Sequence, residues 1–124
     1  MTDTNATYLQ LNDVVTSLGQ KRTFPFTVTS TVRSEMEVHQ DKDYGHQGNG
    51  TYKIYKGNES NNPILNVSTA PFDATYNVNF TSSGQYTLEI HQYGGTEQYK
   101  IRTKSLTIRS LSTGDSEGGM FNDK

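Results

Sequence analysis

Chemistry in this chain would have to come from three histidines, a pair of glutamates spaced by one residue, or two aspartates that open a glycine-containing stretch. A nucleophilic site needs a nucleophile, a base within hydrogen-bond reach and a group that orients the base. His39, His46 and His91 are competent bases by type, yet no serine is set in the strand-to-helix elbow that exposes a nucleophile. His39 and His91 take outward positions on predicted strands and His46 lies in a loop, which suits solvated histidines better than catalytic ones. Glu35 and Glu37 share one strand face, about 7 Å apart at ~3.3 Å rise per residue, and that separation falls within the range used by inverting glycosidases. The same spacing is also the outer face of an amphipathic strand, and nothing around it predicts the burial that raises the pKa of a general acid.

Asp41-Lys42-Asp43-Tyr44-Gly45 begins like a calcium loop, in which alternate carboxylates converge on one hard cation. An EF-hand starting at Asp41 requires glycine at its sixth position and glutamate at its twelfth; His46 and Tyr52 stand there instead. A looser calcium site near Asp41 and Asp43 is the single cofactor the residues leave open, against a plain acidic hairpin loop. Lys100, Arg102 and Lys104 line one strand face, with Arg109 following, and this is the only basic patch. Nucleic-acid affinity scales with the phosphates neutralised, so a chain with pI near 5.8 and so few clustered cations is expected to pair these charges with acids such as Glu89 and Glu97. Among the tyrosines, Tyr44, Tyr55 and Tyr93 take loop or outward positions, and exposed tyrosine supplies contact area at low entropy cost. Together with His91 they form the expected surface-binding set: Tyr44, Tyr55, His91 and Tyr93.

These residues are carried by a chain whose 124 positions contain no cysteine, which removes disulfides and thiolate chemistry together. Net charge is only −2 while aromatic residues reach 10%, so the low mean hydropathy of −0.78 reads as a polar β surface rather than disorder. No apolar run approaches the ~20 residues that span a bilayer as a helix, and Met1–Asn5 has neither the basic nor the apolar region of a signal peptide.

Period-two alternation recurs along the chain. Phe24, Phe26 and Val28; Val32, Met36 and Val38; Tyr76, Val78 and Phe80; Tyr86, Leu88 and Ile90; Tyr99 and Ile101 each alternate with polar neighbours. Shorter candidates run from Tyr8 to Leu11, Tyr52 to Tyr55, Ile64 to Val67 and Leu106 to Ile108, separated by Gly, Asn, Pro and Ser turn chemistry. The pattern predicts an all-β, antiparallel, jelly-roll-like sandwich of about eight or nine strands, with almost no helix. Pro25 has no amide to donate and predicts an edge strand or a bulge. The predicted organisation is an arm and first strand at 1–17, the sandwich at 18–110 and a polar tail at 111–124.

Phe24-Pro25-Phe26-Thr27-Val28, Tyr52-Lys53-Ile54-Tyr55 and Gly84-Gln85-Tyr86-Thr87-Leu88-Glu89-Ile90, followed by Tyr93-Gly94-Gly95 and Tyr99-Lys100-Ile101, resemble the bacterial pre-peptidase C-terminal domain, which includes clostridial collagen-binding domains. The resemblance covers Leu18 to Ile108 and implies a sandwich fold and an extracellular module that binds collagen or polysaccharide. The chain departs from collagen-binding members where they carry an aromatic at the position of His91, and where their acidic calcium-binding segment is reduced to Asp3 and Asn5.

Two roles follow as expectations, neither enzymatic. The first is an accessory subunit, of the decoration or cement kind, on a larger assembly such as a phage virion. Its partner is protein, either itself in a homo-oligomer or a capsid or assembly protein, with no nucleic acid and no membrane, and its location is the virion surface. The second is the secreted polymer-binding module that the resemblance implies.

Overall fold

Alternation acts most plainly in β3 (Ser34–Gln40), where Met36 and Val38 are 0% and 2% exposed while Glu35, Glu37 and His39 face outward. Seven further strands complete the fold: β1 (Thr7–Thr16), β2 (Lys21–Val28), β4 (Asn49–Lys56), β5 (Leu65–Ser68), β6 (Asp73–Val78), β7 (Gly84–Gly94) and β8 (Ile101–Ser110). The structure is a computed structural model and describes residues 6–41, 48–69 and 73–111; among these there is no helix.

The strands form two four-stranded antiparallel sheets, in the orders β1-β8-β3-β6 and β2-β7-β4-β5. Pairing of β1 with β8, β2 with β7, β3 with β6 and β4 with β5 is that of one long hairpin rolled into two layers, the jelly roll. The inner faces supply the core. Phe26, Met36, Val78, Leu88 and Ile101 are all buried, joined by Tyr52, Ile54, Ile90, Leu106 and Ile108. Each such side chain contributes about 1.5–3 kcal/mol on leaving water, which is how this cysteine-free chain is held together. Phe80 closes one end, edge-on to Tyr8 and Phe26 at 6.0 Å and to Tyr86 at 4.8 Å.

Several elements differ from the sequence reading. Tyr99–Ile101 and Leu106–Ile108 were expected as separate strands, but β8 is continuous and carries a bulge: His39 faces Ser105 and Gln40 faces Thr103, leaving Lys104 as the extra residue. The extra residue switches parity, so Ile101 and Thr103 point inward before it and Leu106 and Ile108 after it. Lys104 is therefore not simply in line with Arg102. Val32, Phe80 and Tyr99 lie just outside strands. Asp13, inside β1, adopts φ 55°. Pro25 lies on an edge strand, β2, as its missing amide demands.

Rolling the hairpin sorts the connections between two poles. The β1–β2, β3–β4, β5–β6 and β7–β8 connections share one pole, while the other holds the remaining three and both ends of the described chain. At that second pole Ala6 and Ser110 bond reciprocally: the Ala6 amide donates to Ser110 Oγ and the Ser110 amide to the Ala6 carbonyl, each at 2.8 Å.

Candidate functional site

Of the residues singled out by type, the four-loop pole holds His91, Tyr93 and Asp41. His91 and Tyr93 lie on the outer face of β7, their rings edge-to-face at 5.9 Å, and Tyr93 is 59% exposed. Lys21 and Thr51 flank His91 on the neighbouring strands. Asp41 follows β3 at the same pole, its amide donating to the Arg102 carbonyl. Tyr44, Asp43 and His46 lie outside the described residues. Among the described residues no three histidines and carboxylates converge as metal ligands.

Below the loops is a polar floor that parity alone does not suggest. Gln92 takes an inward position and is fully buried; its Nε2 donates to the carbonyls of Gly94 (3.0 Å) and Tyr99 (2.6 Å), and its Oε1 accepts from the Ile101 amide. Its backbone bonds both ways across the β1–β2 turn, accepting from Gly19 at 2.8 Å and donating to Gln20 at 3.2 Å. Beside it, Gln40 Nε2 donates to the Tyr52 hydroxyl (3.0 Å) and to the Thr69 carbonyl, and Tyr52 and Thr103 share a hydroxyl–hydroxyl bond of 2.9 Å. Burial pushes the Tyr52 hydroxyl pKa above its ordinary value, so it stays neutral. These bonds fix the loop bases from inside, giving outward side chains a rigid mount. The sequence signal for Gln92 was available: a glutamine continuing the inward series of Tyr86, Leu88 and Ile90.

Tyr55 is corrected. Its parity is outward, but only 6% of it is exposed, and it lies away from His91 and Tyr93, opposite Thr87. Burial and the adjacent Glu89 carboxylate raise its hydroxyl pKa. It does not belong to an open binding surface.

On the outer face of the other sheet the glutamate pair is occupied. Arg109 Nη2 donates to Glu35 and to Glu37, the latter at 2.9 Å, and His39 Nε2 lies 2.8 Å from Glu37. The hydrogen bond with His39, then that with Arg109, holds the Glu37 carboxyl below its ordinary pKa. A general acid needs the reverse shift. The partners of Arg109 are thus Glu35 and Glu37, and Lys100 Nζ donates to Ser17 Oγ and the Glu97 carbonyl; Glu89, expected as a partner for this stripe, belongs to the other sheet. An open cleft of about 670 Å³ lies near this charged face, lined by Asp13, His39, Asp41, Asp73, Lys104 and Ser105 among others. The string Gly114-Asp115-Ser116-Glu117-Gly118 spells G-x-S-x-G, but it lies outside the described residues and the elbow belongs to a strand–helix junction.

Neither protein-family models nor curated proteins give a match to this chain. Its class therefore rests on its own geometry: an antiparallel β-sandwich with jelly-roll strand order.

Proposed function

We propose that this chain is a non-enzymatic interaction protein, an accessory subunit of the decoration or cement kind on a larger protein assembly such as a virion, and that it docks through the four-loop pole. One observation carries the reading. Of the four exposed large apolar side chains among the described residues, three surround this pole: Val15, Leu18 and Tyr93, at 37%, 40% and 59% exposure. A chain otherwise so polar has little reason to concentrate them there unless a partner covers them. Loops on a rigid scaffold are where interaction residues accumulate, and the Gln92 and Gln40 networks support that rigidity. Jelly rolls include viral capsid domains and lectins, an analogy that admits the role without assigning it.

The test is co-sedimentation with particles from the source cells on a density gradient. Wild type should travel with a particle fraction, and Leu18→Ala/Tyr93→Ala should be released while keeping its melting temperature. Wild type remaining at the top of the gradient, or a double variant that still co-sediments, would refute the reading.

A second reading, the extracellular module implied by the pre-peptidase C-terminal resemblance, is favoured by the His91–Tyr93 ring pair standing beside Lys21. Pull-down on insoluble collagen and on cellulose tests it. Retention abolished by Tyr93→Ala supports this alternative, and no retention removes it.

A further inference from the structure

A sandwich has four edge strands, each presenting unpaired backbone groups that can template another chain, and proteins blunt such edges with bulges, prolines, charges or shortness. Here β1, β2 and β5 are blunted and β6 is not. Strand β1 has a register shift between Thr7 and Leu9 and a left-handed residue at Asp13. Strand β2 carries Pro25 with Lys21 and Arg22, and β5 is only 4 residues long. Strand β6 runs six residues in unbroken register with β3, from His39↔Asp73 to Ser34↔Val78, without proline and without charge after Asp73. Among the described residues β3 is its only strand partner.

The surroundings of β6 point the same way. Strand β1 contacts β2, so the opposite flank of the sandwich is formed by β6 and β5. That flank carries half-buried Tyr76, Leu65 and Val67, and Ile64 is 36% exposed beside them in sequence. The core is thus incompletely covered along the flank where the unblunted edge lies.

We propose that two copies of this chain pair antiparallel through β6, extending the β1-β8-β3-β6 sheet across a two-fold axis. The period-two rule selects the register. Residues directly opposite must share a sheet face, so the register is centred on one residue that faces its own copy across the axis, not on the bond between two residues. Centring on Thr75 or on Tyr76 each keeps five strand residues in register, and Tyr76 is the choice that brings the two rings together: Tyr76 faces Tyr76 of the second copy, Thr75 faces Asn77 and Ala74 faces Val78, with Asp73 and Asn79 at the ends of the pairing. No like charges oppose each other, and two half-buried rings meet on the inner face, where aromatic pairs add to a cross-strand contact. A second copy fits because the edge is complementary to itself. One six-residue strand and its apolar flank fall below the ~800 Å² per partner of a standard interface, so the dimer is weak and depends on concentration.

This inference does not rest on the docking role, because it concerns a different flank and is read on the isolated chain. Light scattering or sedimentation equilibrium, from micromolar to millimolar protein, should give a mass rising from 13.9 kDa toward twice that value. Thr75→Lys/Asn77→Lys places lysines opposite each other at two points of this register, on exposed positions that leave the monomer folded; it should hold the monomer mass throughout. The same charge added to the blunted edge, Thr23→Lys/Thr27→Lys, should leave association intact. In this cysteine-free chain Tyr76→Cys should oxidise to a covalent dimer faster than Thr75→Cys. A wild type that stays at monomer mass, a β6 double variant that still associates, loss of association in the β2 control, or equal oxidation at the two cysteine positions would each overturn the proposal.

Discussion

Removing one oxygen from Tyr52 tests the polar floor beneath the loops. The side chain is 1% exposed, and its hydroxyl lies between Gln40 Nε2 at 3.0 Å and Thr103 Oγ1 at 2.9 Å. Tyr52→Phe keeps the ring and its packing, so the change isolates the hydrogen bonds. Gln40 retains its bond to the Thr69 carbonyl, but Thr103, 1% exposed, loses the hydroxyl partner. A net hydrogen bond contributes about 1 kcal/mol, and an orphaned buried group costs about 1–3 kcal/mol, which puts the loss at about 2 kcal/mol. At roughly 4 °C per kcal/mol for a domain of this size, the melting temperature should fall by roughly 8 °C, with an unchanged urea m-value. Thr103→Val removes the other partner and should cost about 1 kcal/mol. The double variant should lose less than the two singles combined, because replacing both partners with apolar groups leaves nothing orphaned. Chemical denaturation followed by circular dichroism measures all three. A Tyr52→Phe loss below about 0.5 kcal/mol, or strict additivity in the cycle, would show that the three groups do not act as one network.

Two further outcomes follow from particular contacts. A Cβ at Gly50 would land on the His91 carbonyl where β4 meets β7, next to the register shift between Asn49 and Gly50. Gly50→Ala should therefore destabilise by about 1–3 kcal/mol or more, visible as a lowered urea midpoint, whereas ordinary stability would mean that the strands separate easily there. The second concerns pH. The hydrogen bond to Glu37, then that to Asp73, raises the His39 pKa above 6.5, so its stabilising share is complete below about pH 6.5 and is lost as pH rises through the folded value. Glu37, lowered from 4.5, behaves oppositely: its share is present above that value and lost as pH falls through the folded one. Both act together in the window between, so the stability advantage of wild type over His39→Gln should be largest at mildly acidic pH and shrink toward alkaline pH. An advantage that grows as pH rises would contradict the sign.

Much of the architecture was legible because period-two alternation is a local signal. Phe26, Met36, Val78, Leu88 and Ile101 meet in the core because inward parity and an apolar side chain coincide at each. Where the period slips by one residue the signal fails. Tyr99–Ile101 and Leu106–Ile108 have different parities, and only the pairing of His39 with Ser105 and of Gln40 with Thr103 reveals that Lys104 is a bulge within one strand. Pro25 was readable because a missing donor is a local chemical fact, and the same residue now marks one of the blunted edges.

The site was harder to read for a different reason. Parity says which face of a sheet a residue occupies, but not what else covers that face. Tyr55 and Tyr93 both take outward positions, yet 6% of one and 59% of the other are exposed. The carbonyl of Gly57 accepts from Thr87 Oγ1 and its amide donates to the Gln85 carbonyl, which draws the β4–β5 connection back toward β7 near Tyr55. Tyr93 has no such cover, because the β7–β8 connection beyond it is held inward by Gln92. The decisive groups are thus the backbone of Gly57 and the buried side chain of Gln92. Exposure of Tyr93 should depend on Gln92 more than on its outward neighbours: Gln92→Leu should free the β7–β8 connection and accelerate amide exchange at Tyr99 and Ile101, while His91→Ala should leave that exchange unchanged. Equal exchange in the two variants would mean that the loop base is held by something other than the buried amide.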